Sequence, residues 1–172
     1  MAGAAVTIRP AESDDISAIA QIYNYYVCKT VISFETEPPD EAEMRRRWRS
    51  LTADGYPYLV VQRNGAICGF AFAGPYKPRK AYAGTVEESI YLIPEARGTG
   101  LGTELMGELI LAAEKAGYRQ MVSGIADDLS AASLALHRKF GFRQIGRLEK
   151  VGRKFGRLID IMLVQRQLGD GN

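Results

Sequence analysis

With 172 residues, 47% of them hydrophobic and 24% charged, the chain has the size and balance of one globular domain, and its net charge of +2 is too small to argue for a nucleic-acid or membrane partner. Two cysteines, Cys28 and Cys68, form no CxxC pair and no disulfide framework, and both read as buried packing residues. A single histidine excludes a multi-histidine zinc site, and any Ser-His-Asp triad would have to run through His137 without a GxSxG elbow.

The opening segment, MAGAAVTIRP, lacks the charged and apolar stretches of a signal peptide, and no apolar run reaches the length of a membrane span. A cytoplasmic, reducing address is therefore expected. Val6–Arg9 predicts a short strand. Ser13 or Asp14 then caps a helix whose apolar residues Ile16, Ile19, Ala20, Tyr23 and Val27 recur at helical spacing. ISFETEPPD is a loop, since two prolines forbid a helix interior. DEAEMRRRWRSL predicts a second helix, with acids first and arginines later, as the helix dipole favours. Tyr58–Arg63 and Ala66–Ala73 predict a hairpin across Asn64-Gly65, the dipeptide suited to a type I′ turn.

After the loop PYKPRKAYAG, a strand is predicted over Thr85–Ile93, closed by Pro94. A glycine-rich loop follows, then a helix with Leu101, Leu105, Leu109, Ala112 and Ala116 on one face and Gly117 as its stop. QMVSGIA predicts a strand, SAASLALHRKFGF a helix ending near Gly141, and RQIGRLEKV and LIDIMLVQRQL two final strands. The order β-α-α-β-β-β-α-β-α-β-β implies one α/β domain over 1–172 with a mixed sheet, free of repeats and linkers.

The glycine loop is the most informative segment. Gly98-Thr99-Gly100-Leu101-Gly102-Thr103 fails GxGxxG because its third glycine comes one place early, and no GxxxxGK[ST] is present. What the residues do provide is a set of backbone amides at a helix N-terminus, with Arg97 at the entrance, which suits a pyrophosphate. Arg97-Gly98-Thr99-Gly100-Leu101-Gly102, following YLIP on a strand, resembles the coenzyme A signature [Q/R]-x-x-G-x-[G/A] of the GNAT superfamily of N-acetyltransferases. SFETEPP, AGPYKPRKAY, TVEESIYL, ALHRKFGF and VGRKFGRLIDIMLVQ together resemble the phosphinothricin acetyltransferase group of that superfamily, which also acts on methionine sulfoximine and methionine sulfone. The likeness runs from about Ile8 to Leu168.

This resemblance implies an α/β GNAT fold, with a central mixed sheet of about six or seven strands flanked by about four helices, and acetyl-CoA as co-substrate without a metal. Acetyl would pass directly to the α-amine of a small amino-acid-like acceptor. Loss of the amine proton needs a base, and Glu87 matches the group's glutamate, with Glu88 on the opposite face of the strand. His137 would protonate the departing thiolate. Ile90, Tyr91 and Leu92 would meet the pantetheine arm through their backbones, the Leu92 amide serving as oxyanion donor. Arg97, Gly98, Thr99, Gly100, Leu101, Gly102 and Thr103 would cradle the pyrophosphate. Ser130 stands where the group usually has asparagine, which shortens the reach of that cofactor contact.

On the acceptor side, Phe34 would supply an apolar wall and Glu35 a partner for the substrate ammonium. Tyr76, Lys77, Arg79 and Tyr82 would line the pocket, with cations for an acceptor carboxylate or polar head. The group is typically homodimeric, and VGRKFGRLIDIMLV would help complete the interface, although Arg153 departs from the group's pattern. Two other readings compete. A protein N-acetyltransferase would need an open groove in place of a closed pocket. A nucleic-acid binder is suggested by eight lysines and arginines against Glu149 between Arg138 and Arg157, but no recognised motif accompanies them, and Phe140, Phe142 and Phe155 fit core positions.

Overall fold

Apolar side chains from six of the seven strands and from all four helices set the architecture, seen in a computed structural model that describes residues 5–126 and 131–170. The elements are β1 (Val6–Pro10), α1 (Ile16–Lys29), α2 (Glu41–Ala53), β2 (Tyr58–Arg63), β3 (Ala66–Pro75), β4 (Thr85–Leu92), α3 (Leu101–Lys115), β5 (Gln120–Ala126), α4 (Ala131–Lys139), β6 (Arg143–Lys154) and β7 (Arg157–Gln167). The strands form one sheet in the order β1-β2-β3-β4-β5-β7-β6, and every neighbouring pair is antiparallel except β4–β5.

Strands buried on both faces read as near-continuous apolar runs. On one face Val60, Phe70 and Tyr91 pack under Ile16, Ile19 and Tyr26 of α1 and Met44 of α2. On the other, Val61, Ala71, Ala73 and Val86 pack under Leu101, Leu105 and Leu109 of α3, joined by Leu134 and Leu136 of α4. Among the described residues, no helix is long and apolar enough to cross a membrane.

The predicted order of elements is the observed one, and the differences lie at the ends. α1 is preceded by a 3-10 turn over Ser13–Asp15 whose first residue is capped by Glu12, so neither Ser13 nor Asp14 is the cap. The Asp15 carboxylate instead accepts from Arg9 at 2.6 and 2.8 Å and from the Glu12 amide at 2.7 Å. β6 runs three residues past its predicted end at Val151, to Lys154, because its last residues pair with β7 up to Lys154–Arg157. Cys68 is buried as expected, whereas Cys28 is exposed on the outer side of α1. Phe142 is buried, but Phe155 lies at the hairpin tip with 58% of its surface exposed.

Candidate active site

The site begins where two parallel strands part. β4 and β5 pair only at Thr85–Gln120, Val86–Met121 and Glu87–Val122. Tyr76 N donates to Thr85 O at 3.4 Å and Ile93 N to Cys68 O at 2.9 Å, so the odd-numbered residues of β4 hydrogen-bond to β3 in an unbroken register. The backbone groups of Glu88, Ile90 and Leu92 therefore face the side from which β5 has turned away. Of the residues expected to use their backbones, Ile90 thus presents its main chain to the gap, whereas that of Tyr91 is turned toward β3. The polar groups of Leu92 are held by one phenol: Tyr26 Oη donates to Leu92 O at 2.6 Å and accepts from Leu92 N at 3.2 Å. The amide expected to serve as oxyanion donor is thus engaged by α1.

At the far end of this gap lies the glycine loop. Gly98 and Gly100 have φ of 71° and 93°, which other residues adopt only with strain, and a Cβ added at either would meet nothing within 4 Å. The space in front of the loop is open. Gly100 is the N-cap of α3 and offers no side chain, and its carbonyl accepts from the amides of Thr103 and Glu104. Leu101 and Gly102 keep first-turn amides that have no acceptor within the helix. Thr99 Oγ1 donates to Ala96 O at 2.7 Å and accepts from Arg63 at 2.8 Å. Arg63, which no local motif marks, brings a cation to the loop from the β2–β3 hairpin. Arg97 does not supply that cation: its guanidinium lies 5.6 and 5.2 Å from the ring centres of Tyr25 and Tyr26, against α1. Ser130 lies outside the described residues.

Strand alternation separates the two carboxylates of TVEESIYL, as expected. Glu88 points under α4, where it is 3% exposed, and Glu88 Oε1 lies 2.7 Å from Nε2 of His137, itself 2% exposed. Nδ1 of His137 is 2.7 Å from the Ser133 carbonyl, an acceptor only, so Nδ1 carries a hydrogen. One further proton must lie between Nε2 and Oε1. Burial lowers the pKa of the imidazole, but the Glu88 carboxylate and the Ser133 carbonyl outweigh it, and the net shift is upward. Glu88 Oε2 is buried and has no hydrogen-bond partner. Glu87 is exposed at the opposite face. Desolvation raises its pKa, as does the charge of Glu88, and Lys77 opposes both.

Around Glu87 the acceptor residues fall into two groups. Tyr76 and Tyr82 meet edge to face at 5.7 Å, with the Lys77 ammonium 5.1 and 5.8 Å from their ring centres. Arg79 is exposed, at the start of a 3-10 turn over Lys80–Tyr82. Across the site, Glu35 is already paired: it accepts from Arg47 at 2.6 Å and from Tyr23 Oη at 2.7 Å. Desolvation works to raise its pKa, but these partners hold it below the usual carboxylate value. Glu35 therefore shapes the loop rather than waiting for an ammonium. Phe34, 42% exposed, stands beside it. A cleft of about 280 Å³ opens next to Arg47, lined by Tyr23, Tyr58 and Phe72.

Residues 19–142, which span this parted sheet, the glycine loop and His137, match the Acetyltransferase (GNAT) family. The chain belongs to the GNAT acetyltransferases. Among its relatives in that family, the phosphinothricin N-acetyltransferase of Alcaligenes faecalis is 44% identical over 172 residues, covering 100% of this chain and 87% of the relative. The L-methionine sulfoximine/L-methionine sulfone acetyltransferase of Salmonella typhimurium is 36% identical over 165 residues, covering 96% of each chain. The crystal structure of a GNAT superfamily phosphinothricin acetyltransferase from Sinorhizobium meliloti, in complex with AcCoA, superposes with a TM-score of 0.93 at 42% identity, covering 96% of this chain and 90% of that one.

Proposed function

We propose that this GNAT acetyltransferase moves acetyl from acetyl-CoA to the α-amine of a small amino-acid-like acceptor of the phosphinothricin, methionine sulfoximine or methionine sulfone type. The observation that carries the proposal is the parting of β4 from β5. It sets unpaired backbone groups between an open glycine loop and a buried carboxylate–imidazole pair. The residues fit the co-substrate: a Cβ-free loop and first-turn amides suit a pyrophosphate, and the Ile90 backbone suits an amide-bearing arm. Acetyl-CoA, when bound, supplies the acetyl thioester. Leu101 and Gly102 amides, with Arg63 beside Thr99, hold its phosphates.

The acceptor arrives as an ammonium and must lose a proton before it is a nucleophile. Glu87, exposed beside Lys77 and with its pKa raised by desolvation and by the charge of Glu88, is the residue placed to take that proton. Glu88, 3% exposed on the opposite face, is sealed against His137 and holds the imidazole in place. His137, fixed in orientation by the Ser133 carbonyl, keeps the pair protonated for return to the leaving thiolate. The Glu87 carboxylate also meets and orients the acceptor's ammonium before the transfer. Lys77 and Arg79 suit its carboxylate or polar head, and Tyr76, Tyr82 and Phe34 suit its apolar body.

The test is release of CoA thiol from acetyl-CoA against the three amino-acid analogues and a lysine peptide, with wild type, E88Q and E87Q side by side. Turnover of an analogue is expected, with kcat falling about 10²- to 10⁴-fold in E87Q. In E88Q, which loosens His137 but leaves Glu87 in place, kcat should fall less. Turnover of the peptide alone would move the assignment to protein acetylation, and turnover in E87Q equal to wild type would remove Glu87 from the chemistry. The named relatives support a small acceptor over a polypeptide.

We also propose that the enzyme is a cytoplasmic homodimer paired through the β6–β7 hairpin, with neither nucleic acid nor membrane as a partner. β6 is the outermost strand, and Ile145, Leu148, Val151, Phe155 and Leu158 of the hairpin are all large, apolar and exposed. The basic stretch offers little to nucleic acid: Arg147 pairs with Asp160 at 2.8 Å, and Lys154 is buried. Two free cysteines suit a reducing compartment.

A further inference from the structure

Lys154 is a lysine turned inward near the tip of a hairpin, and nothing in the acetyl-transfer chemistry above uses it. It is 5% exposed, and its ammonium donates to the Ser33 carbonyl at 2.6 Å. Two positions earlier on the same face of β6, Gly152 lies flat against Phe34, and a Cβ added there would overlap the ring. The partners are thus the backbone of Ser33 and the ring of Phe34, in the loop that also carries Glu35. Phe155 and Gly156, with φ of 50° and 73°, form the two-residue turn that follows Lys154, and the Phe155 ring lies 5.2 Å from the Lys154 ammonium.

Burial opposes the charged form of Lys154, and its pKa is lowered, with Cys28 and Glu35 acting in the other direction. An ammonium out of water with few partners is a poor device for stability, because an apolar side chain of similar length would cost less to bury. Its benefit must lie in where it holds the chain. Tyr23 Oη meets Ser33 Oγ at 3.1 Å and Glu35 Oε1 at 2.7 Å, and Arg47 holds Glu35 from α2. Those contacts fix the loop from α1 and α2. Lys154 and Gly152 fix its remaining side, from an element 121 residues away in sequence.

We propose that Lys154 and Gly152 are positioning residues that hold the Ser33–Glu35 loop in its acceptor-binding shape, so that the β6–β7 hairpin sets acceptor affinity without touching the co-substrate. The proposal rests on the acceptor reading given above. It is tested with K154M and G152A by three measurements on the full chain: urea unfolding, amide hydrogen exchange over residues 31–36, and separate Michaelis constants for the amino-acid analogue and for acetyl-CoA.

The expected result for K154M is stability at or above wild type, faster exchange in 31–36 alone, and an acceptor KM raised about tenfold, the loss of one charge-assisted hydrogen bond. The KM for acetyl-CoA and kcat should stay near wild type. G152A should raise the acceptor KM in the same way by displacing Phe34, which guards against a peculiarity of the buried methionine. Unchanged exchange in 31–36 would overturn the proposal, and so would faster exchange with an unchanged acceptor KM. Loss of stability with both Michaelis constants intact would reduce Lys154 to a structural residue. If wild type turns over none of the analogues, the acceptor reading fails on its own account, and the exchange comparison still decides whether Lys154 and Gly152 hold the loop.

Discussion

His137 Nδ1 is committed to a carbonyl, so its Nε2 and Glu88 Oε1 share a proton wherever the rest of the chain puts them. The imidazole pKa is raised above 6.5 in the folded protein, its desolvation outweighed by Glu88. A raised folded pKa stabilises fully below the unfolded value and loses that contribution as pH rises through the folded value. We predict that the stability of wild type relative to an E88Q/H137Q variant, in which neither group titrates, is greatest below about pH 6.5 and declines as pH climbs past it. Urea unfolding at several pH values checks this, and a flat difference would mean that the pair shares no proton. At this scale the sequence shows less than its motif suggests. Glu87 and Glu88 alternate faces legibly, but which face holds His137 depends on a contact spanning 49 residues, and local pattern does not report it.

Two elements frame the proposed co-substrate side. In the loop before α3, G100V would place a β-branched residue at φ of 93°, at a cost of about 1–2 kcal/mol, and would fill the open space in front of the amides. The KM for acetyl-CoA should rise about tenfold or more while the acceptor KM is unchanged, as steady-state kinetics would show. At the other end, Y26F removes both hydrogen bonds to Leu92, and we predict a loss of about 1–2 kcal/mol in urea unfolding. The glycine loop was readable because its chemistry is contained in six consecutive residues, and the Asn64-Gly65 hairpin for the same reason. Tyr26 was not, because its phenol completes a strand 66 residues downstream. Nor was Arg63, whose cation reaches the loop only through the β2–β3 turn. Arg97 misled because a cation beside an anion site can equally stack on nearby aromatic rings, and α1 presents two.

For the whole molecule, the exposed apolar hairpin predicts self-association. L148E/V151E should sediment as a monomer at concentrations where wild type is a dimer; identical sedimentation would remove the hairpin as the interface. The order of elements along the chain followed from periodicity over whole elements, which is why β1 to β7 and α1 to α4 emerged in their predicted sequence, whereas the order of the strands in the sheet depends on long-range pairing that periodicity does not report. Burial of single residues did not follow from it: Cys28 belongs to an apolar-looking run yet faces outward near the end of α1, and Phe155 sits exposed in the turn between β6 and β7.

The parting of β4 from β5 has a consequence for how such a chain can change. In the site proposed above, the slot for the donor is cut from main-chain groups, and every residue type except proline presents the same N–H and C=O there. Side chains along β4 can therefore drift without erasing donor recognition, whereas the opposite wall, built from Phe34, Tyr76, Lys77 and their supports, is written entirely in side chains. One half of the reaction is thus insulated from point substitution and the other exposed to it. A lineage can explore new amines while its acyl donor stays the same.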